Sequence, residues 1–488
     1  MVFTPDYVAP DAPPAFEDMC GDVWTQMCRH ECAFSPEIFF DKMMNLIKNP
    51  NINSSWLFRA DIVYDDAASP ACIGDVEDES RPRVREVKDI PRTRILVRTL
   101  VPRNTLRDAP MNQTCTFHQH ASQGEEDLIR SLVIYIPHVD SVEDYPFYHP
   151  KVRGVAHYHE WDASTGAGFI SVHFLPLVDV PLAADKNLQR IAYHLLEVLH
   201  KHGEGVAKGY VKRVQHDLIV PQVKFQDRYA ELKGRYARSL IGEWDEKTDP
   251  VKHVFEDLGI AAFLIEMWTA MYRDQPFPGF VDIGCGNGLL VHILNQEGYS
   301  GWGFDARSRG SWQKYASPCS ASPTGSSLAQ RLLLPSIVHS TTSSPADPAT
   351  THDGVFPTGT FIISNHADEL TPWTPLLATL SSSPFVVIPC CSHALSGARQ
   401  RHPPPKDKSK GNSTYASLVE WTRHIMERCG WEVETETLRI PSTRNIGLVG
   451  RRRTVEEVDI RQVIAEFGGA DGFASNVEQL LKGGLRGH

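Results

Sequence analysis

Val281-Asp282-Ile283-Gly284-Cys285-Gly286-Asn287-Gly288 is the stretch on which the fold turns. Phe280 to Ile283 reads as a short apolar strand, and Leu289 to Gln296 as a helix that Gly298 stops. Glycines between them let the backbone approach a ligand and adopt positive φ. The helix start then offers N–H groups that have no partner inside the helix. A nicotinamide-type fingerprint would need glycine at position 289, where this chain has Leu289. The glycines fall at 284, 286 and 288 instead. Asp305 ends the next apolar strand, Trp302 to Phe304, and an acid there can accept both hydroxyls of a ribose.

Outward from this motif the pattern alternates strand and helix. Phe361 to Ser364 and Phe385 to Ile388 are apolar runs, Tyr415 to Cys429 is an amphipathic helix, and Val433 to Ile440 with Ile446 to Gly450 forms a hairpin. Such alternation predicts an α/β fold with a mostly parallel sheet and helices on both faces. Upstream lie two long helices, one from Val223 to Trp244 and one that begins at Asp249-Pro250, with proline in its first turn. Earlier still, Ile95–Val101, Leu132–Ile136, Val152–Tyr158 and Phe169–Phe174 read as strands, and a helix follows through Leu188, Ala192, Leu196 and Leu199. Phe39, Met43, Leu46 and Ile47 share one helical face.

Four regions result. Residues 1–90 read as a helical and loop segment, 91–215 as an α+β accessory domain, 216–453 as the ligand-binding domain, and 454–488 as a helix and tail. The Ser/Thr/Pro/Ala-rich stretch 316–360 is expected to be an exposed, mobile insert, with a sheet strand hidden near Ile337-Val338.

Composition sets limits. The chain has 488 residues, 41% hydrophobic and 22% charged, with a net charge of −11. An acidic balance gives no general affinity for nucleic acid, so any RNA contact must come from local basic patches. Met1 to Pro14 does not read as a signal peptide, and no apolar run is long enough for a membrane helix, so no membrane partner is expected. Ten cysteines without framework spacing read as reduced thiols of a cytosolic or nuclear protein, and a cytoplasmic location is expected. Cys20, Cys28, His30 and Cys32 match no common zinc spacing, and no metal is expected.

The glycine spacing, Asp282 and Asp305 together resemble the cofactor motifs of class I methyltransferases. That resemblance implies a Rossmann-like sheet and S-adenosylmethionine (AdoMet) held by Asp282, Gly284, Gly286, Gly288, Asp305 and Asn365. Asn365-His366-Ala367-Asp368-Glu369-Leu370-Thr371-Pro372-Trp373 follows a strand, where such enzymes keep a polar motif facing the substrate. Further blocks sharpen the match: Tyr145 to Val152, Thr248-Asp249-Pro250, Phe255-Glu256-Asp257-Leu258-Gly259, Pro389-Cys390-Cys391 and Leu438 to Asn445. They resemble the AdoMet-dependent tRNA (uracil-2′-O-)-methyltransferases, which methylate a uridine ribose in serine tRNA. The resemblance implies tRNA as partner, with tRNA-Ser the expected species.

In-line transfer from a sulfonium needs positioning and late removal of a hydroxyl proton. Asp368 is the first candidate base, followed by Glu369 and His366. The Lys-Asp-Lys-Glu set of many ribose methyltransferases finds no two lysines to match here. Arg399, Arg401 and Lys406 on one loop, with Arg439 and Arg444 near the sheet top, are the candidate RNA contacts; Lys208, Lys212 and Arg213, and Arg451 to Arg453, are further basic groups. Two other readings remain open: a class I methyltransferase acting on a protein or small molecule, and a non-catalytic AdoMet-binding partner in RNA processing.

Overall fold

The computed structural model describes residues 3–7, 13–67, 78–104, 107–121, 128–177, 185–210, 216–338, 347 and 349–477. They fall into two units, Met1–Val211 and Lys212–His488.

The first unit is built on a seven-stranded sheet. Its elements are β1 (Thr25–Cys32), α1 (Pro36–Lys48), β2 (Leu57–Asp65), β3 (Arg92–Pro102), β4 (Met111–Ala121), β5 (Leu128–Pro137), β6 (Gly154–Asp162), β7 (Ala167–Leu175) and α2 (Lys186–Ala207). Every pairing is antiparallel, in the order β1-β7-β6-β5-β4-β3-β2. Asp185 caps α2 by accepting from the N–H groups of Asn187 and Leu188. The helices bury the stripes read from the sequence: Phe39, Met43, Leu46 and Ile47 on α1, and Leu188, Ala192, Leu196 and Leu199 on α2. The sequence reading separated residues 1–90 from the accessory domain; the structure does not, because β1 and β2 are the two edge strands of this sheet.

The second unit opens with α3 (Gln222–Gly242) and α4 (Pro250–Met271). Then come β8 (Phe280–Ile283), α5 (Leu289–Gln296), β9 (Gly301–Asp305), α6 (Trp312–Tyr315), β10 (Leu328–Gln330), β11 (Leu332–Leu333), β12 (Thr351–His352) and β13 (Phe361–Asn365). The last elements are α7 (Thr374–Leu380), β14 (Phe385–Ile388), α8 (Thr414–Arg428), β15 (Trp431–Thr437), β16 (Ile446–Arg453) and α9 (Ile460–Glu466). The main sheet runs β10-β9-β8-β13-β14-β16-β15. Its first five strands are mutually parallel, and β16 and β15 form an antiparallel hairpin at the edge. Side chains alternate between two cores: Phe361, Ile363, Val386 and Ile388 pack with α3, α4 and α5, while Ile362, Phe385 and Val387 pack with α7, α8 and α9.

Two expectations for residues 316–360 are corrected. The strand at this edge is β10, not Ile337-Val338, which lie in a 3-10 turn over Ser336–Val338. Pro335 lacks the N–H that a strand entering there would use. Nor do the described residues of the stretch form an exposed loop: Leu332, Leu333, Leu334 and Phe356 are buried, and β11 pairs with β12. Residues 339–346 and 348 lie outside the described set. The C-terminal stretch is also packed, since Phe473 is buried with its ring centroid 5.0 Å from that of Trp373. Residues 478–488, and with them the end of the expected tail, are outside the described residues.

Candidate active site

The parallel order puts the C-terminal ends of β8, β9 and β13 side by side, and ligands of such sheets bind there. The loop after β8 is held from several directions. The carbonyl of Phe304 accepts from the N–H groups of Gly284 (2.8 Å) and Cys285 (3.1 Å). Asp305 Oδ2 accepts from the Gly286 N–H at 3.0 Å, and Asp305 Oδ1 from the Arg307 N–H at 3.1 Å. The indole of Trp312 donates to the Gly286 carbonyl at 2.9 Å.

The three glycines have φ of 75°, 56° and 77° at 284, 286 and 288. A Cβ on Gly288 would lie 2.5 Å from Leu328 Cδ1, and one on Gly284 3.0 Å from Ala367 Cβ. One on Gly286 would meet nothing within 4 Å, although Gly286 lines the cavity beside it. The glycine spacing therefore serves close packing at 284 and 288, and open access at 286.

That cavity has a volume of about 330 Å³. Asp282, Gly284, Gly286 and Asn365, four of the expected cofactor residues, line it together with His366, a candidate base. So do Glu246, His253, Glu256, Asp257 and Arg309, which the sequence reading did not assign. The signal for two of these was present: Glu256 and Asp257 interrupt the apolar run of α4, and a buried helix face carries adjacent acids only at a cost in desolvation. Asp305 does not line the cavity wall; its carboxylate is turned onto the loop.

The cavity is strongly acidic. Burial, with Asp257 and Asp305 nearby, drives the Asp282 carboxyl well above the carboxylate range. Burial and then Glu256 raise Asp257 from 3.8 to about 8. Burial acts against the charge of Glu256 too, but the His366 ring beside it and the Ser442 hydroxyl prevail and hold its carboxyl low. His366 Nε2 lies 3.0 Å from Glu256 Oε1, while its Nδ1 is buried with no partner among the described residues. Asp282 Oδ1 and Asn365 Oδ1 are likewise acceptors without donors among the described residues. This donor-poor, acceptor-rich wall suits a cationic ligand bearing N–H or O–H groups. AdoMet fits, having a sulfonium, an ammonium and ribose hydroxyls.

A second cavity, about 460 Å³, is lined by Cys390, Cys391, Arg399, Arg401, Tyr415 and Arg444. It adjoins the polar motif because the Cys390 thiol donates to Asp368 Oδ1 at 3.2 Å. Asp368 is exposed, at φ 45°, with Glu369 half-buried after it. Arg444 stacks its guanidinium 4.6 Å from the centroid of the Tyr415 ring. The structure thus brings Arg399, Arg401 and Arg444 together but leaves out two expected RNA contacts. Lys406 is exposed and does not line the cavity. Arg439 is already neutralised by a bidentate pair with Asp217, at 2.6 and 3.0 Å. Arg451 and Arg452 pair with Glu434 and Glu432 across the hairpin, and Arg453 lies over the Trp431 ring. Lys212 and Arg213 are outside the described residues.

Asp368, Cys390 and Cys391 also bring one potential ligand atom each within 4.8 Å, the one such trio among the described residues. Burial, with Asp368 beside it, pushes the Cys390 thiol up, and the thiol-to-carboxylate hydrogen bond accounts for the grouping without an ion.

Comparison with known proteins follows the same division. Residues 6–213 match a family model described as a TRM44-like, N-terminal bet v1-like domain. Residues 219–328 match one described as a predicted AdoMet-dependent methyltransferase. A Neurospora crassa protein named tRNA (uracil-O(2)-)-methyltransferase is 52% identical, over 98% of this chain and 98% of its own. Proteins of the same name from Yarrowia lipolytica and Schizosaccharomyces pombe are 38% and 36% identical, over 96% and 98% of this chain and 97% and 96% of their own.

Proposed function

This chain belongs to the tRNA (uracil-O(2)-)-methyltransferase family, and from that premise we propose that it transfers the methyl group of AdoMet to the 2′-hydroxyl of a uridine in tRNA, with serine tRNA as substrate. The observation that carries the reading is the acidic cavity at the ends of β8 and β13, beside a loop of three positive-φ glycines. The strand order, five parallel strands closed by an antiparallel hairpin, supports a Rossmann-like, class I methyltransferase reading. We assign the reaction to the cytoplasm, on the cysteine usage. Among the described residues, no helix is long and apolar enough to cross a membrane.

AdoMet supplies an activated methyl on a positively charged sulfur. Asp282, Asn365 and the backbone of Gly284 and Gly286 would hold it, with Asp257 as a counter-charge. Asp305 would exchange its bond to the Gly286 N–H for ribose hydroxyls. Orienting the nucleophile along the line of transfer can supply up to about 7–11 kcal/mol of the barrier. His366 is the group we assign to take the hydroxyl proton: Glu256 fixes its Nε2, and the unpartnered Nδ1 belongs to a residue lining the cavity. Asp368 is the second reading, favoured by its place beside the arginine-lined cavity; Glu369 follows it. Arg399, Arg401 and Arg444 would meet the phosphates flanking the target nucleotide.

Single-turnover rates separate the two bases. His366→Gln should slow methyl transfer by about 10²–10⁴-fold with AdoMet binding retained, the usual contribution of a positioned base. Asp368→Asn should act mainly on tRNA affinity. The reverse pattern would transfer the role to Asp368.

A further inference from the structure

The first unit holds a larger cavity than the candidate active site, about 940 Å³. It falls within the roughly 300–1,000 Å³ of pockets that bury a small organic molecule. Its floor is polar. Arg98, 5% exposed, donates to Gln113 Oε1 at 2.7 and 3.0 Å and to the carbonyls of Leu46 and Ile47 in the last turn of α1. Those carbonyls account for much of its hydrogen bonding, but no carboxylate pairs with it among the described residues. The Tyr135 ring lies 4.8 Å from this guanidinium, and its hydroxyl, on a side chain 5% exposed, has no partner among the described residues. A wholly apolar occupant would leave that hydroxyl unsatisfied.

The mouth is aromatic and cationic. Trp56 and Phe147 line it, 45% and 65% exposed, with ring centroids 5.1 Å apart. The Arg107 guanidinium sits 5.3 and 5.4 Å from these centroids. Arg190 of α2 lines the same pocket, and the Arg103 N–H donates to the Trp56 carbonyl. The charge pattern is selective. Among the described arginines of this unit, Arg29, Arg59, Arg81, Arg83, Arg85, Arg92, Arg94, Arg130 and Arg153 each have a carboxylate partner. Those without one, Arg98, Arg103, Arg107 and Arg190, are at this pocket or beside its rim. In a chain of net charge −11, unpaired cations gathered around exposed rings mark a surface for a polyanion with flat groups.

We propose that this pocket receives an unstacked nucleotide of the tRNA substrate, its base entering past Trp56 and Phe147 and its flanking phosphates meeting Arg103, Arg107 and Arg190. The inference rests on tRNA being the substrate. Base edges are read by hydrogen-bonding side chains once a base leaves its stack, and Tyr135 and Arg98 supply such groups at depth. RNA is favoured over a free small anion because the stacking surface and most of the unpaired charge lie at the opening, where a strand would continue.

The test uses the full chain, an unmodified tRNA transcript and three variants: Trp56→Ala with Phe147→Ala, Arg107→Ala with Arg190→Ala, and Tyr135→Phe. The first two should raise the tRNA Kd and KM by roughly tenfold or more, as loss of stacking and phosphate contacts does. The arginine variant should also show a shallower salt dependence. AdoMet binding by calorimetry and the melting temperature should stay at wild-type values. Tyr135→Phe, which removes one hydroxyl and little volume, should weaken tRNA binding without loss of stability. Transcripts carrying 4-thiouridine should crosslink to the peptides containing Trp56 or Phe147. Folded variants that bind tRNA like wild type, with no such crosslink, overturn the inference alone. So does a small molecule that is released on denaturing the wild type and absent from the variants. A wild-type chain that binds AdoMet but no tRNA overturns the functional reading, and this inference with it.

Discussion

Asp257 is the residue at which pH should act most directly. Its carboxyl, raised from 3.8 to about 8, keeps its proton in the folded chain across a range where the unfolded chain has lost it. The folded state then binds more protons, so stability falls as pH rises from about 4 to about 8. Asp257→Asn keeps the shape and removes the titration. Melting curves of the wild type should shift downward between pH 6 and pH 8 more than those of the variant; parallel curves would show that Asp257 ionises normally. A cationic cofactor favours the ionised form, so AdoMet affinity should rise over the same window in the wild type alone. The glycines make a second residue-scale prediction. Gly288→Ala carries both a strained φ and a 2.5 Å approach to Leu328, and should lower stability by more than the roughly 1–2 kcal/mol of a left-handed residue. Gly286→Ala meets no protein atom, and should lose AdoMet affinity with a smaller fall in melting temperature. Equal losses of stability would mean that the loop tolerates neither.

At the scale of elements, the C-terminal segment is part of the fold. Phe473 is 3% exposed against Trp373, the last residue of the polar motif. Phe473→Ala should cost about 3–5 kcal/mol in urea unfolding, as deletion of a buried ring does; a change below about 0.5 kcal/mol would make the segment a loose tail. The elements around the cofactor loop were readable from sequence because each is a pure apolar run or a capped helix. Phe385–Ile388 and Asp249-Pro250 are examples, the latter with Asp249 accepting from the Val251 and Lys252 N–H groups. Two of the missed strands, β2 and β4, carry polar residues among their apolar ones. β4 buries Gln113, Thr114, Thr116 and His118, and β2 carries an Arg59–Asp61 pair, so neither shows hydrophobic alternation. β10 is only Leu328–Gln330, too short to stand out from its serine-rich surroundings. At the site, motif spacing led to the glycine loop beside the acidic cavity, whereas the ion pair of Arg439 was not legible, because sequence gives no sign that Asp217 faces it.

For the whole molecule, the division of labour is a ligand-binding α/β unit and an antiparallel unit with its own pocket, in a chain that is acidic overall. We place its RNA affinity in arginines that have no carboxylate partner among the described residues: Arg399, Arg401 and Arg444 in one unit, and Arg103, Arg107 and Arg190 in the other. The central claim is that the acidic cavity serves methyl transfer to a tRNA ribose. Its most direct test is transfer from labelled AdoMet to unmodified tRNA, with the modified nucleotide mapped, for wild type and Asp305→Ala. The account predicts a 2′-O-methyluridine in serine tRNA, formed roughly tenfold or more slowly by the variant, which loses a charge-assisted contact. Label on a protein or a small molecule, or none on any tRNA while AdoMet still binds, would contradict it.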